Sequence, residues 1–148
     1  MDFSLSEERK MLKETVARFF ESNYKNINKR SENVYLPEGF CKTFWKDSAE
    51  LGIISALVSP EFGGLGGDGD DISIIFELIG KSLCVEPFLA SGVLSNTVLS
   101  SVSKINIDLI NEVVEGNVLI AFAHTEMNNR YEDSFIETNA SLKGRKWC

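Results

Sequence analysis

The chain has 148 residues, of which 43% are hydrophobic and 25% charged, a composition typical of a globular domain with a sizeable core. Its formal net charge of -7 and the lack of a basic stripe argue against nucleic-acid binding, because nucleic acid is a polyanion. The longest apolar run, residues 118–123, is too short to cross a membrane, and the acidic N-terminus is unlike a secretory signal. The three cysteines form no CxxC pair, so we expect reduced thiols in a cytoplasmic protein, without a metal site.

The first predicted helix begins at a capping box, in which Ser4 precedes Glu7 by three residues, and it fades near Asn23. Its apolar residues recur on one helical face: Leu5, Leu12, Val16, Phe19 and Phe20. The polar and basic stretch that follows, residues 24–35, is predicted to be a loop.

A second helix is predicted to open at Pro37, a favourable first-turn position, and to end at Gly52. One side of this helix is apolar and carries Phe40, Phe44 and Leu51. Residues 53–58 are predicted to form a short buried segment, and residues 59–69 a glycine-rich loop.

A third helix is led by Asp70 and Asp71, which complement the positive end of its dipole. Its apolar stripe advances by three and four residues through Ile72, Ile75, Phe76, Ile79 and Leu83. Pro87 breaks this helix, and residues 88–102 are predicted to form a central fourth helix that is apolar on more than one side. A short fifth helix covers residues 107–115.

These helices are expected to share one core with six largely buried side chains: Phe20, Phe44, Phe76, Ile79, Leu94 and Val98. Strands are predicted at residues 118–123 and 135–142, and a further strand begins at Arg145. Helices grouped before strands favour an α+β arrangement or two domains over alternating βαβ units. Because the last strand begins so close to Cys148, we expect the chain to be the front of a larger protein.

Two motifs in the glycine-rich loop have structural interpretations. Residues 64–69 match GxGxxG, but the strand–loop–helix–strand context of a dinucleotide site is missing, so a tight loop is favoured. The acidic residues Asp68, Asp70 and Asp71 lack the spacing of a calcium-binding loop, so helix capping is favoured for them.

Polar residues follow the strand predicted before residue 124. His124 is the only histidine, and alone it identifies neither a catalytic relay nor a metal site. Thr125 and Glu126 end the strand, where a hydroxyl and backbone N–H groups can bind the polar edge of a flat cofactor. Arg130 and Tyr131 could bind phosphate or stack on a ring, and the alternative for both is a solvent-exposed loop.

Six segments together resemble the N-terminal part of the acyl-CoA dehydrogenases, in the order of that family. They are FSLSEE at 3–8, FWKDSAELG at 44–52, VSPEFGGLGG at 58–67, FELIG at 76–80, AFAHTE at 121–126 and LKGRK at 142–146. The resemblance implies a mainly α fold, with an all-helical N-terminal domain at residues 1–116. The first strands of a truncated middle β domain follow at residues 117–148.

The resemblance also implies a C-terminal four-helix bundle that the chain lacks. The family's catalytic base is a glutamate of that bundle in its best-known members, so no catalytic residue is assigned before Cys148. We therefore expect the 148-residue chain alone to be inactive.

Members of this family use FAD to oxidise acyl-CoA thioesters to 2-enoyl-CoA. By the resemblance, the cofactor-binding residues are Phe122, His124 and Thr125, which lie along the flavin. The fourth helix looks like part of the acyl-chain floor, which it forms through Leu89 and Val93.

The loop after Thr125 departs from the family pattern. Many members continue Thr-Glu-Pro-x-x-Gly-Ser-Asp, whereas this chain lacks the Pro, Gly and Ser. Its Arg130 and Tyr131 are similar to a bacterial branch that includes the small subunit of pimeloyl-CoA dehydrogenase, and they are the expected substrate contacts. The departure leaves the CoA contact and the substrate class open.

The resemblance implies an acyl-CoA substrate, electron-transfer flavoprotein as a candidate electron acceptor, and a homo- or hetero-oligomer in the full-length protein. One alternative is a flavin-dependent oxidase or monooxygenase of the same fold. Another is a non-enzymatic helical interaction module. FAD binding separates the enzymes from the module, and the electron acceptor separates the enzymes from each other.

Overall fold

The computed structural model describes residues 5–24, 27–102, 104–128, 132 and 134–148, and within them the chain is mainly helical. Its helices are α1 (Glu7–Asn23), α2 (Ile27–Val34), α3 (Lys42–Glu50), α4 (Gly69–Ser82), α5 and α6 (Ile107–Val114). Helix α5 begins as a π-helix (Phe88–Ser95) and continues as an α-helix (Asn96–Ser101). Short 3-10 turns lie at Ser55–Leu57 and Pro60–Phe62. The predicted mainly α fold is confirmed.

Helix α1 begins at a different cap from the predicted one. The Ser6 hydroxyl accepts a hydrogen bond from the Arg9 N–H at 3.3 Å, and Glu7 and Glu8 occupy the first turn. The predicted cap, Ser4, lies outside the described residues. Because Ser6 already fills the cap position and reaches the third helical N–H group, the assignment of the cap to Ser4 is wrong.

Helices α1 and α4 are joined by charge at the start of α4. Asp68 caps α4, since its Oδ1 accepts from the N–H groups of Asp70 and Asp71, both at 3.0 Å. The Arg9 guanidinium of α1 binds all three carboxylates, at 2.7 Å from Asp70 and 3.0 Å from Asp71. The capping interpretation of these aspartates is confirmed, and the same residues fasten α4 to α1.

The stretch predicted to be a loop, residues 24–35, contains α2. The single buried residue of this helix is polar: Asn33 donates from its side chain to the Tyr24 hydroxyl at 2.9 Å. Apolar periodicity does not detect a helix that is anchored by an amide, which explains the error. Pro37 lies in a turn, and the next helix, α3, begins only at Lys42.

The core is built around stacked and edge-to-face aromatic rings. Phe44 lies 4.7 Å from Phe19 between ring centroids, and Phe88 lies 5.1 Å from Trp45 and 6.1 Å from Phe20. Further buried residues come from α1, α4 and the predicted buried segment: Val16, Ile53, Ile54, Ala56, Leu57, Ile74, Ile75 and Leu78. The prediction that residues 53–58 form a short buried segment is therefore confirmed.

Of the six predicted core side chains, Phe20 and Phe44 are buried and Phe76, Ile79 and Leu94 are half-buried. Val98 is 38% exposed, so that assignment is wrong. Leu51 and Leu83, which were placed on the apolar faces of their helices, are exposed as well. Both of these leucines lie just beyond the last turn of a helix, where the chain has already changed direction.

Helix α5 buries its polar side. Ser91, Gly92, Ser95 and Asn96 are buried, whereas Leu89 is 53% exposed. The buried residues Phe88, Ser91, Gly92 and Ser95 follow the usual helical spacing of i, i+3, i+4 and i+7, but three of them are polar or small, so an apolar stripe does not identify this face. The serines of this face therefore lie where the sequence predicts apolar side chains.

The glycine-rich loop folds back on the 3-10 turn that precedes it. The N–H groups of Leu65, Gly66 and Gly67 donate to the carbonyls of Ser55, Val58 and Ala56 at 2.8–3.1 Å. Because these N–H groups already have partners, they do not cradle a phosphate. The tight-loop interpretation of the GxGxxG match is confirmed.

The β structure is smaller than predicted. Strands β1 (Leu142–Lys143) and β2 (Lys146–Trp147) form an antiparallel hairpin, in which Leu142 pairs with Trp147. In the described part of the chain, residues 118–123 and 135–141 are not strands, because no neighbouring strand pairs with them. No helix among the described residues is long and apolar enough to span a membrane.

Substitution of Gly64 by alanine tests the packing of the glycine-rich loop. A Cβ atom at this position would lie 1.8 Å from the Val58 carbonyl oxygen. We expect Gly64→Ala to lower the free energy of unfolding by about 2–3 kcal/mol, measured by urea denaturation. The control is Gly80→Ala in α4, where nothing lies within 4 Å and a gain of about 0.5–1 kcal/mol is expected. Equal stability of the two variants would contradict this packing.

Candidate functional site

An open cleft of about 530 Å³ lies between residues 122–126, the middle of α5 and residues 136–138. Its lining is mainly apolar, with three polar side chains at the edge: Leu94, Phe122, Ala123, His124, Glu126, Ile136 and Thr138. We call residues 122–124 the first wall of this cleft and residues 136–138 its second wall.

The first wall is held by two buried serines of α5. The Ile120 N–H donates to Ser91 Oγ at 3.2 Å, and Ser95 Oγ donates to the Ile120 carbonyl at 2.8 Å. Ser95 Oγ also lies 2.7 Å from the Ala90 carbonyl, so one hydroxyl proton is shared between two acceptors. Both polar groups of Ile120 are thus satisfied by side chains of a helix instead of by a neighbouring strand.

Two flat rings form the surface of the first wall. The rings of Phe122 and His124 stack at a centroid distance of 5.5 Å and an interplanar angle of 26°. Both residues are exposed on the cleft side, and Leu94 of α5 adds apolar surface next to them. The wall therefore offers an apolar face with an imidazole at its edge.

Glu126 joins the first wall to the second. Its Oε2 accepts from the Glu137 N–H at 2.7 Å, and its Oε1 accepts from the Thr138 N–H at 3.0 Å. The Thr138 side chain and these N–H groups hold the pKa of the Glu126 carboxyl below its usual range. Asn128 also donates to the Glu137 carboxylate at 2.8 Å. The carboxylate of Glu126 is therefore an ionised acceptor that is already occupied.

The cofactor-binding residues predicted from the resemblance lie at this cleft. Phe122 and His124 line it, while Thr125 is exposed next to it without being part of the lining. An apolar wall beside hydrogen-bonding side chains is what a flat ring with one polar edge requires, so the residues present fit a flavin ring. The occupied N–H groups of the glycine-rich loop do not offer a place for its phosphates.

The predicted substrate-binding residues are not brought together in the described part of the structure. Leu89 is exposed on α5. Val93 lies in a separate cleft of about 110 Å³, together with Asn96. Arg130 and Tyr131 lie outside the described residues.

The cleft beside α1 offers no free positive charge to an anion. This cleft of about 480 Å³ is lined by Arg9, Leu12, Leu65 and Asp71, among others. Three carboxylates already neutralise Arg9. Among the described residues, no cluster of His, Cys, Asp or Glu could hold a metal ion.

A second carboxylate, Glu86, is buried with only 5% exposure between α1, α2 and the start of α5. It accepts hydrogen bonds from the Tyr24 hydroxyl, the Cys84 thiol at 2.8 Å and the Cys41 N–H at 3.2 Å. Burial first, and then the neighbouring carboxylate, raise the pKa of both Tyr24 and Cys84 well above their usual range. This cluster fixes helices and leaves the thiol unreactive.

Sequence reasoning did not identify the pair Ser91 and Ser95. It also did not identify the connection that Glu126 makes to the N–H groups of Glu137 and Thr138, which we call the Glu126 latch. A signal for the serine pair exists, since Ser91 and Ser95 stand four residues apart among the small and apolar residues of the segment 88–95. Such a pair needs partners when it is buried. Nothing in the sequence marks the Glu126 latch, because the acceptor Glu126 and its donors are 11 and 12 residues apart.

Comparison with known proteins gives a match over most of the helical region. Residues 6–104 match the family described as acyl-CoA dehydrogenase, N-terminal domain. The chain is 33% identical over 115 residues to acyl-CoA dehydrogenase IpdE2 of Mycolicibacterium smegmatis, covering 76% of this chain and 35% of that protein. It is 29% identical over 114 residues to IpdE2 of Mycobacterium tuberculosis, with the same coverage of 76% and 35%. The chain thus spans about a third of the length of these relatives.

A solved structure shares the fold. A chain of the ChsE4-ChsE5 complex from Mycobacterium tuberculosis superposes with a TM-score of 0.75 at 20% identity. The superposition covers 99% of this chain and 39% of that chain. At this identity the likeness is one of fold alone.

Removal of the Ser91 hydroxyl tests how the first wall is held. We expect Ser91→Ala to lower the free energy of unfolding by about 1 kcal/mol, because a half-buried N–H group loses its acceptor. Hydrogen exchange at the Ile120 amide should accelerate about tenfold, measured by NMR. Ser101→Ala, at the exposed end of α5, is the control and should change stability by less than about 0.5 kcal/mol. Unchanged protection of Ile120 would refute this role of Ser91.

Proposed function

The chain belongs to the acyl-CoA dehydrogenase family, and on that premise we propose that it is the N-terminal part of an FAD-dependent enzyme that oxidises acyl-CoA to 2-enoyl-CoA. One observation carries the proposal: the cleft between the walls at 122–124 and 136–138, which α5 supports through Ser91 and Ser95. We assign to the flavin the apolar face that Phe122 and His124 form there.

We propose a division of the chain into a helical domain, residues 1–116, and the start of a β domain, residues 117–148. In support, Ile110 and Val113 of α6 are fully buried, so the helical packing extends to the last helix. The hairpin of β1 and β2 follows it. Residues 118–123 are not helical, and Ile120 in this segment is hydrogen-bonded to α5.

Bound FAD would supply the acceptor for a hydride from the β carbon of the acyl group. In the proposal, Phe122 and His124 bind one face of its ring, and the Thr125 hydroxyl donates to its polar edge. Leu94 and Ile136 exclude water from the remaining apolar side of the cleft, which strengthens the hydrogen bonds made inside it.

The base that removes the α proton is proposed to lie outside the described residues. Glu126 is not assigned to this role, because its hydrogen bonds to Thr138 and Glu137 lower the pKa of its carboxyl and so make it a weaker base. Glu86 is buried among donors and has no opening toward the cleft lining. A general base needs an oxygen within hydrogen-bond reach of the substrate proton.

For the thioester substrate, we propose Arg130 and Tyr131 as contacts to the CoA moiety, and Leu89 and Val93 as contacts to the acyl chain. The exposed Leu89 side chain gives α5 an apolar outer surface that an acyl chain could cover. In an acidic protein, an anionic ligand such as CoA needs a local cation, which favours the arginine.

We propose that the working protein is a homo- or hetero-oligomer that passes electrons to electron-transfer flavoprotein. The solved structure of similar fold is a complex, ChsE4-ChsE5, which supports an assembly of related chains. Transfer of electrons to O₂ instead would favour an oxidase or monooxygenase of this fold. Failure of the protein, expressed with its complete reading frame, to bind FAD would favour an interaction module.

Substitution of Phe122 tests the place of the flavin. In the protein expressed with its complete reading frame, we expect Phe122→Ala to raise the Kd of FAD about tenfold, because a stacking surface is lost. Phe135→Ala is the matched control, since both phenylalanines are 43% exposed and Phe135 is not part of the cleft lining. Fluorescence titration of the apoprotein with FAD measures both values. Equal effects of the two substitutions would count against the assigned site.

Substitution of Arg130 tests the CoA contact. Loss of a charge-assisted hydrogen bond should weaken binding of acyl-CoA or FAD by on the order of 2 kcal/mol. The KM for acyl-CoA and the Kd of FAD, measured for Arg130→Ala in the same protein, decide between the two ligands. If both stay within about twofold of the wild-type values, Arg130 is a surface residue.

A further inference from the structure

Glu126 makes a connection that the proposed function does not use. It belongs to the segment of the first wall, yet its carboxylate accepts from the N–H groups of Glu137 and Thr138 in the second wall. These donors follow it by 11 and 12 residues, so the bonds close a long loop. Both oxygens are used, one for each N–H group, which fixes the orientation of the carboxylate.

No strand ladder joins the two walls within the described part of the chain. In a β-sheet, N–H groups such as those of residues 137 and 138 would donate to backbone carbonyls of a neighbouring strand. Here the carboxylate of one side chain takes the place of those carbonyls. Among the described residues, the Glu126 carboxylate makes two bonds to the backbone of the second wall, and Asn128 adds one bond to the Glu137 side chain.

The side chains next to these bonds line the cleft. Ile136 and Thr138 flank the first donor and belong to the lining, as does Glu126 itself. Ile136 is 69% exposed, so few packing contacts hold it in place. Without the Glu126 carboxylate, this part of the second wall would lose both of its backbone bonds to residue 126 and keep the side-chain bond between Asn128 and Glu137.

We propose that Glu126 is a positioning residue, which holds residues 136–138 against the first wall and so sets the width of the flavin cleft. The inference rests on the proposed function in one respect, which is that the ligand of the cleft is a flavin. The bonds that Glu126 makes to the second wall do not depend on the ligand. A glutamate is ionised at neutral pH, and a carboxylate accepts stronger N–H bonds than a neutral amide oxygen does.

The first experiment measures the latch without any ligand. Hydrogen exchange at the Glu137 and Thr138 amides is followed by NMR in the apoprotein expressed with its complete reading frame. We expect at least tenfold faster exchange in Glu126→Ala and an intermediate rate in Glu126→Gln, which keeps one acceptor oxygen. Glu137→Ala is the matched control, because it removes the other carboxylate of this loop, together with its bond from Asn128, and leaves both N–H donors and Glu126 in place. Its rates at Thr138 should stay within about twofold of wild type.

The second experiment measures the consequence for the cofactor. We expect Glu126→Ala to raise the Kd of FAD about tenfold and to shift the visible absorption of the bound flavin, because a wider cleft admits water. The midpoint of thermal unfolding should change little, which separates positioning from a general loss of stability. The glutamine variant should recover part of both the affinity and the spectrum.

The outcomes distinguish three statements: that Glu126 holds the second wall, that it positions this wall for the flavin, and that the protein binds FAD. Unchanged exchange at Glu137 and Thr138 in Glu126→Ala overturns the latch. Faster exchange with unchanged FAD affinity and spectrum overturns the positioning role. If wild-type protein binds no FAD while exchange responds as expected, the proposed function fails, and the role of Glu126 toward a flavin fails with it although the latch remains.

Discussion

The hydrogen bonds between α5 and the backbone N–H and carbonyl groups of Ile120 are the constraint on which the candidate site depends. Segment 118–123 carries large apolar side chains and has no paired strand in the described structure, so its backbone needs other partners. Ser91 and Ser95 supply them from the buried face of a helix. Because α5 is packed in the core through Phe88, these bonds place the segment that carries Phe122 and His124 next to the helical core. A polar helix face inside an apolar core is thus explained by the segment that it holds.

Helix α5 turns a polar face toward the core. Its buried residues Phe88, Ser91, Gly92 and Ser95 follow the helical spacing of i, i+3, i+4 and i+7. Gly92 leaves room for Leu57, whose Cδ1 atom would lie 2.9 Å from an added Cβ. With the serines inside, the apolar side chains of Leu89 and Val98 are exposed. The π-helical turn covers Phe88–Ser95, and such turns are frequent at functional sites.

The sequence predicts those parts of the fold that follow from local periodicity. Helices α1, α4 and α6 and the tight glycine loop were all predictable, since their apolar stripes, caps and glycines act over a few residues. Helix α2 was not, because Asn33 anchors it through Tyr24, a contact that no periodic pattern contains. The inward face of α5 was missed for the same reason: Ser91 and Ser95 find their partner 25 to 29 residues later. The predicted strands required pairing partners, and propensity alone does not supply them.

The two halves of the candidate site differ in how they are held. The first wall is fixed by two neutral hydroxyls buried against a packed helix, so its position should vary little with conditions. The second wall is held by exposed side chains, through the Glu126 carboxylate and the bond from Asn128 to Glu137, and water competes for hydrogen bonds of this kind. Around both walls, Leu119, Phe122, Ile136 and Leu142 leave apolar surface uncovered. A rigid wall facing a lightly held one, with apolar surface between them, is an arrangement that a flat ligand can complete, since a ring inserted there would bury both faces at once. In that view the ligand contributes to the structure of the cleft as much as the cleft contributes to binding, because each covers apolar surface of the other.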